Sequence, residues 1–214
     1  MIENFTTYLF HPVIILCRLW KIIYLPLLFM FDLSMINHDN VHNSHVLSLL
    51  YSIITSCISP YTFYLIYNNT ILVNQASSIS EFIYNLSISY FISDLIIGLE
   101  YYPTVLNNNI LTSYIHHSAY IILLSYLKQH NKIHLLLLGM PYEIPTVLLN
   151  IRYVSNYYNN YKLFGILFLF FRIFYNIYVL YKTYNVYNDI FIFSIGTLMI
   201  HCYWYFNYLK RYVF

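Results

Sequence analysis

Asp94, His116, His117, Glu143, Asn150, Arg172 and His201 can ionise or hydrogen bond strongly, yet each stands in a run that is otherwise apolar. An ionisable side chain near the centre of a bilayer costs about 2.5 to 3.5 kcal/mol even on a lenient insertion scale. Mutual pairing inside a helical bundle offsets that cost, and a polar ligand cavity is the functional form of the same solution. In SYIHHSAYIILLSY, residues 113–126, the adjacent His116 and His117 project about 100° apart around a helix. One can face a cavity while the other orients it. His117 shares a face with Ser113 and Tyr120. Glu143, Thr146 and Asn150 recur along one face with Arg152 just beyond, which suggests a polar seam.

The chemistry open to such a group is definite. A neutral imidazole can take a proton from an amine or hydroxyl and return it to a leaving group. It can also attack an acyl carbonyl itself. A carboxylate can fix its tautomer and stabilise the imidazolium, and Asp94 and Glu143 are the candidates. Two histidines and a carboxylate also suit zinc in principle, but adjacent histidines need a bend to reach one ion, so no metal is expected. His38, Asp39 and His42 read as part of a solvated loop, and His130 and His134 as part of a turn. Each of these residues also has a plain reading as a buried hydrogen-bond partner without catalytic work.

Long apolar elements must carry these groups. Of 214 residues, 60% are hydrophobic, 21% aromatic and only 8% charged, against roughly 25% charged in a soluble domain. A bilayer crossing needs about 20 mostly apolar residues. Candidate spans run from about residue 12 to 31, 45 to 67, 81 to 99, 110 to 127, 133 to 154, 161 to 180 and 190 to 209. The expected fold is therefore all-α, a polytopic transmembrane helical bundle of six or seven spans. The first span is the weakest, because Arg18 and Lys21 fall within it. Residues 1–44 read as an N-terminal hydrophobic segment and polar loop, and residues 45–211 as one domain. Pro60 is expected to kink the second span. In the fifth, Pro141 and Pro145 leave two readings open. One is a broken helix lining a polar site; in the other, Pro141 sits in the first turn of a helix, with a short separate piece before it.

The remaining features mostly exclude. A net charge of +2 with no dense basic patch argues against nucleic-acid binding. Cys17, Cys57 and Cys202 are far apart and imply neither a metal site nor a disulfide framework. MIENFTTYLFHP lacks the positive leader of a cleaved signal peptide, so a targeting first helix would be a retained anchor. The 27 tyrosines suit the headgroup region, although mutational bias gives the same excess. The distribution of Lys and Arg between the two ends leaves orientation open.

In order and spacing, YFISDLIIGLEYYP, YIHHSAYIILLSY and YEIPTVLLNIRYV resemble the TLC domain family, named for TRAM, LAG1 and CLN8 proteins. The likeness continues through the Arg172 helix and LMIHCYWYFNYLKR, covers about residues 45 to 211, and lies nearest the smaller TLCD-type branch. Ceramide synthases are more distantly similar. The resemblance places Asp94 at an acidic family position and His116 and His117 on the paired-histidine motif. Glu143, Thr146, Asn150 and Arg152 fall on the E-x-x-T-x-x-x-N-x-R segment, and Trp204 on an aromatic position of the last helix. It implies a multi-pass protein of the endoplasmic reticulum or a related host membrane.

Two functions follow as expectations. The first is binding membrane lipid or regulating lipid composition, with Asn150, Arg152, Arg172 and Trp204 as lipid-binding residues. The alternative, implied by ceramide synthases, is an acyl-CoA-dependent N-acyltransferase acting on a sphingoid or related amine. Its catalytic residues would be His116, His117, Asp94 and Glu143, with acyl-CoA as substrate and no resident cofactor. The chain departs from the synthase pattern after the histidine pair, where GMPYEIPTVLLN replaces an HD-x-x-D-type segment. The sequence accommodates both an enzyme and a lipid-binding protein; the expected partners are membrane lipids.

Overall fold

The computed structural model describes residues 13–23, 40–69, 77–101, 114–154, 160–184 and 186–213. Among these residues the structure is helical with no strand. After the helical stretch at 13–23, the elements are α1 (Asn40–Tyr67), α2 (Ser78–Tyr101) and α3 (His116–Gln129). A 3₁₀ segment, Ile133–Glu143, runs directly into α4 (Ile144–Val154). Next come α5 (Tyr161–Phe168), a π-helical turn at Leu169–Phe174, α6 (Tyr175–Thr183) and α7 (Asn188–Tyr212).

Five spans are long and apolar enough to cross a membrane: His45–Tyr67, Ser78–Glu100, Ile133–Val154, Tyr161–Thr183 and Ile190–Tyr212. The chain is a helical membrane bundle. The expected spans near 12–31 and 110–127 are described only in part, and are helical there. Helix α1 begins at Asn40, earlier than the polar loop of residues 32–43 suggests, and Pro60 sits within it. Residues His38 and Asp39 lie outside the described residues.

The fifth element resolves its two prolines in a third way. The path stays helical through both, and what changes is the helix type, from 3₁₀ to α at Glu143. A proline has no N–H to return to an earlier carbonyl, and inside a membrane that carbonyl needs another donor. The carbonyls three and four residues before Pro141 belong to Leu138 and Leu137. Tyr175 Oη donates to Leu138 O at 3.0 Å, and Thr62 Oγ1 donates to Leu137 O at 3.1 Å. The carbonyl three residues before Pro145 belongs to Tyr142, and Arg172 Nε donates to it at 2.9 Å. Neighbouring side chains thus replace the donors that the prolines lack. An 11-residue 3₁₀ run, long for its type, is held from both sides.

Small polar residues let α1 pack closely against the fifth element and α2, as is usual between membrane helices. Ser52, Thr55, Ser59 and Thr62 on α1, and Ser80, Ser87, Ser89 and Ser93 on α2, are all buried. Tyr51 and Ser87 share a hydroxyl hydrogen bond at 2.9 Å, and the Tyr51 ring stacks on Tyr90 at 4.1 Å. The 13–23 stretch docks on the same helix: Trp20 Nε1 donates to Ser89 Oγ at 3.0 Å and Lys21 pairs with Glu100 at 2.6 Å. Helices α5 and α7 meet where Gly165 has no side chain. A Cβ there would fall within the Tyr208 ring, whose hydroxyl donates to Tyr161 O at 2.8 Å. On α7, Ile192, Met199 and Phe206 recur every seven residues and point outward, as a lipid-facing stripe does.

Candidate functional site

Asp94 enters from α2 and His117 from the first turn of α3, and both are buried, at 6% and 7% exposure. His117 Nδ1 stands 3.3 Å from Asp94 Oδ2. The distance is that of an ion pair, and the approach does not have hydrogen-bond geometry. Phe91 packs on the His117 ring at 5.3 Å and Tyr90 meets it edge-on at 5.9 Å. The paired histidines therefore divide their roles. His117 faces the carboxylate of Asp94. His116 turns toward Tyr120 at 4.8 Å and Trp204 at 5.8 Å. Tyr120 is thus closer in role to His116, one helical turn earlier, than to His117. Ser113 lies outside the described residues.

Arg172 forms the second half of the cluster. Besides Tyr142 O, it donates from Nη2 to Thr146 Oγ1 at 2.6 Å, and Nη2 stands 3.9 Å from Glu143 Oε2. Its guanidinium lies 5.4 Å from the Phe168 ring centroid and 5.8 Å from that of Trp204. His201 Nδ1 is 3.0 Å from Arg172 O, and its ring is 5.8 Å from Trp204. Trp204 is the bridge, touching His116 on one side and Arg172 on the other. Its indole Nε1 is buried without a hydrogen-bond partner. Asp94, His117, His116, Trp204, Arg172 and Glu143 therefore form one connected chain drawn from five segments. Both π-helical stretches of the described residues, 114–115 and 169–174, adjoin it; such turns occur frequently at functional sites.

A model of the TLC domain matches residues 18–210. The chain belongs to the TLC domain family. The match begins at Arg18, so it takes in much of the N-terminal segment as well as the region from residue 45 onward. No curated protein and no solved structure matches this chain.

Two of the residues grouped with the TLC cluster by sequence stand elsewhere. Asn150 faces α1: its Oδ1 lies 2.8 Å from His45 Nδ1, and its Nδ2 donates to Ser48 Oγ at 2.9 Å and Ser52 Oγ at 3.4 Å. His45 in turn stacks on Tyr153 at 4.1 Å. Arg152 sits at the end of α4, over the Tyr161 ring at 4.0 Å. The seam expected along Glu143, Thr146 and Asn150 splits in two. An i to i+4 step turns about 40° and rises about 6 Å, which carries Asn150 past Arg172 to α1. Pattern reading also missed Phe91, which packs against both histidines of the TLC cluster. Nothing in its local sequence separates it from other apolar aromatics. Among the described residues, no three His, Cys, Asp or Glu side chains gather as metal ligands.

Proposed function

We propose that this TLC domain protein binds membrane lipid at the Asp94–His117–His116–Trp204–Arg172–Glu143 cluster and so regulates membrane lipid composition. One observation carries the reading. Two buried polar atoms in an aromatic-walled cluster make no hydrogen bond: Trp204 Nε1, and His117 Nδ1, whose neighbour is the Asp94 carboxylate at ion-pair distance. A buried donor without any partner, as at Trp204 Nε1, costs about 1 to 3 kcal/mol. A lipid polar group bonded there recovers that cost, and its chain suits the rings of Phe91, Tyr120 and Phe168. Arg172 belongs to the cluster as a fixed positive charge. Asn150 serves the fold at α1, and Arg152 lies beyond the cluster. The lipids of the endoplasmic reticulum or a related host membrane are the proposed partners, and nucleic acid is not one.

The Asp94–His117 approach at 3.3 Å favours a second reading, N-acyl transfer from acyl-CoA to a sphingoid or related amine. The amine nitrogen would attack the thioester carbonyl and the C–S bond would break. The histidine would take the amine proton and pass it to the departing thiolate. Asp94 would stabilise the imidazolium between those steps, while His116 and Glu143 stand beside the path. Purified protein in lipid nanodiscs, given labelled acyl-CoA and a panel of long-chain amines, separates the readings. Amide product that disappears in both His117→Ala and Asp94→Asn establishes transfer. Saturable lipid binding with no turnover establishes the first reading, and absence of both in folded protein contradicts the site.

A further inference from the structure

At the end of the bundle where α4 and α7 finish and α5 begins, Arg152 is clasped by rings. Its guanidinium lies 4.0 Å from the Tyr161 centroid and 5.5 Å from those of Tyr153 and Tyr212. Tyr161 and Tyr212 stack on each other at 4.1 Å. Arg211 reaches the Tyr212 ring as well, at 5.3 Å. Among the described residues, neither arginine has a carboxylate within ion-pair distance, and Glu100, at the end of α2, is engaged by Lys21. Lys162 and Lys210 are exposed at the same end. Beside Arg152 runs a shallow groove, enclosing only about 10 Å³, lined by the half-buried Leu148, Leu149, Tyr161 and Phe164 and by Asn160.

We infer that Arg152, at the mouth of this groove, holds the phosphate headgroup of an anionic membrane lipid on the protein surface, separate from the histidine cluster. A guanidinium fixed on an aromatic face keeps its N–H edge free and presents it in the planar geometry that phosphate oxygens accept. Leu148, Leu149 and Phe164 beside the cation offer an apolar surface on which the start of an acyl chain attached to that phosphate can lie, a contact that a soluble phosphate does not make. The groove is also at the end of the spans, at headgroup depth, where tyrosine and arginine are both at home. The tie between Tyr208 and Tyr161 backbone, with Gly165 admitting the Tyr208 ring, holds the clasp in place. The site shares no residue with the histidine cluster, so its failure would leave the proposed function standing.

The test is native mass spectrometry of the full chain released from nanodiscs of phosphatidylcholine doped with phosphatidylglycerol. Retained phosphatidylglycerol is expected to fall roughly tenfold in Arg152→Gln, the loss of one charged, bidentate contact. Arg152→Lys is expected to fall between, since it keeps charge and loses the planar fork. Lys182→Gln, at the opposite end, is expected to match the parent. Circular dichroism confirms that each variant is folded. Unchanged retention in folded Arg152→Gln, or equal loss in Lys182→Gln, overturns the site. Displacement by millimolar inorganic phosphate alone overturns the lipid assignment.

Discussion

Arg172 Nε donates to the Tyr142 carbonyl at 2.9 Å, and Tyr142 stands three residues before Pro145. The proline removes the N–H that a 3₁₀ turn would return to that carbonyl, and the arginine supplies another. A feature that reads as a helix break thus fixes the position of the buried cation. From that anchor Arg172 reaches Thr146 and Glu143 and places its guanidinium near Trp204. Backbone chemistry in the fifth element and side-chain chemistry in the cluster are one arrangement.

Arg172→Gln is accordingly expected to destabilise the bundle by about 3 kcal/mol, because it leaves Glu143 without its cation and Tyr142 O without its donor. Arg172→Lys restores the charge but not the simultaneous bonds to Tyr142 O and Thr146, and should recover part of the loss. Thermal unfolding in detergent measures both. A Gln variant as stable as the parent contradicts the role assigned to Arg172.

Asn150→Ala is expected to cost about 1 kcal/mol, typical of interhelical hydrogen bonds in membranes, by removing contacts with His45, Ser48 and Ser52. Lipid binding at the histidine cluster should persist in the folded fraction. Parallel unfolding and binding measurements check the separation. Selective loss of binding with stability intact would move Asn150 into the site.

Gly165→Leu is expected to separate α5 from α7, since a Cβ at residue 165 meets the Tyr208 ring. Overpacking of this kind costs about 1 to 3 kcal/mol. Combining Gly165→Ala with Tyr208→Ala should be milder than adding the two single effects, because the second change empties the space the first requires. Strictly additive losses in unfolding experiments would contradict the close approach.

Lys21, Arg152, Lys162, Lys210 and Arg211 gather toward the end bearing Arg152, with Arg18 one turn before Lys21 on the same stretch. Lys128, Lys132 and Lys182 lie toward the other end. The Lys21–Glu100 pair places the 13–23 stretch on the richer side, which sequence alone could not do. The positive-inside tendency then predicts that this end faces the cytoplasm. In a background with Cys17, Cys57 and Cys202 replaced, Lys162→Cys should react with an impermeant maleimide from the cytoplasmic side and Lys182→Cys from the opposite side. The reverse pattern contradicts the orientation.

Much of this architecture is legible because long apolar runs and polar exceptions are both scarce signals. His45–Tyr67, for example, is the same segment in the sequence reading and in the structure. Asp94, the histidine pair, Glu143, Arg172 and Trp204 were also visible as unusual residues or family landmarks. Their partners were not. The choice of His117 over His116 for Asp94 depends on how α2 and α3 rotate against each other, which no local pattern states. Asn150 groups with Glu143 in the sequence because spacing gives a face of one helix but not the neighbour behind it. The 3₁₀ segment was hidden for a related reason: its carbonyls are satisfied by Thr62, Tyr175 and Arg172, all distant in sequence.

The most direct test of the lipid site is photo-crosslinking. Purified protein in nanodiscs would be illuminated with a lipid carrying a diazirine in its acyl chain, and the adducts mapped by mass spectrometry. The structure predicts saturable adducts on peptides containing Phe91, Tyr120 and Trp204, reduced in folded Trp204→Ala and His117→Ala. Adducts confined to the outward stripe of Ile192, Met199 and Phe206, unchanged by either substitution, would contradict a lipid site at the Asp94–His117 cluster.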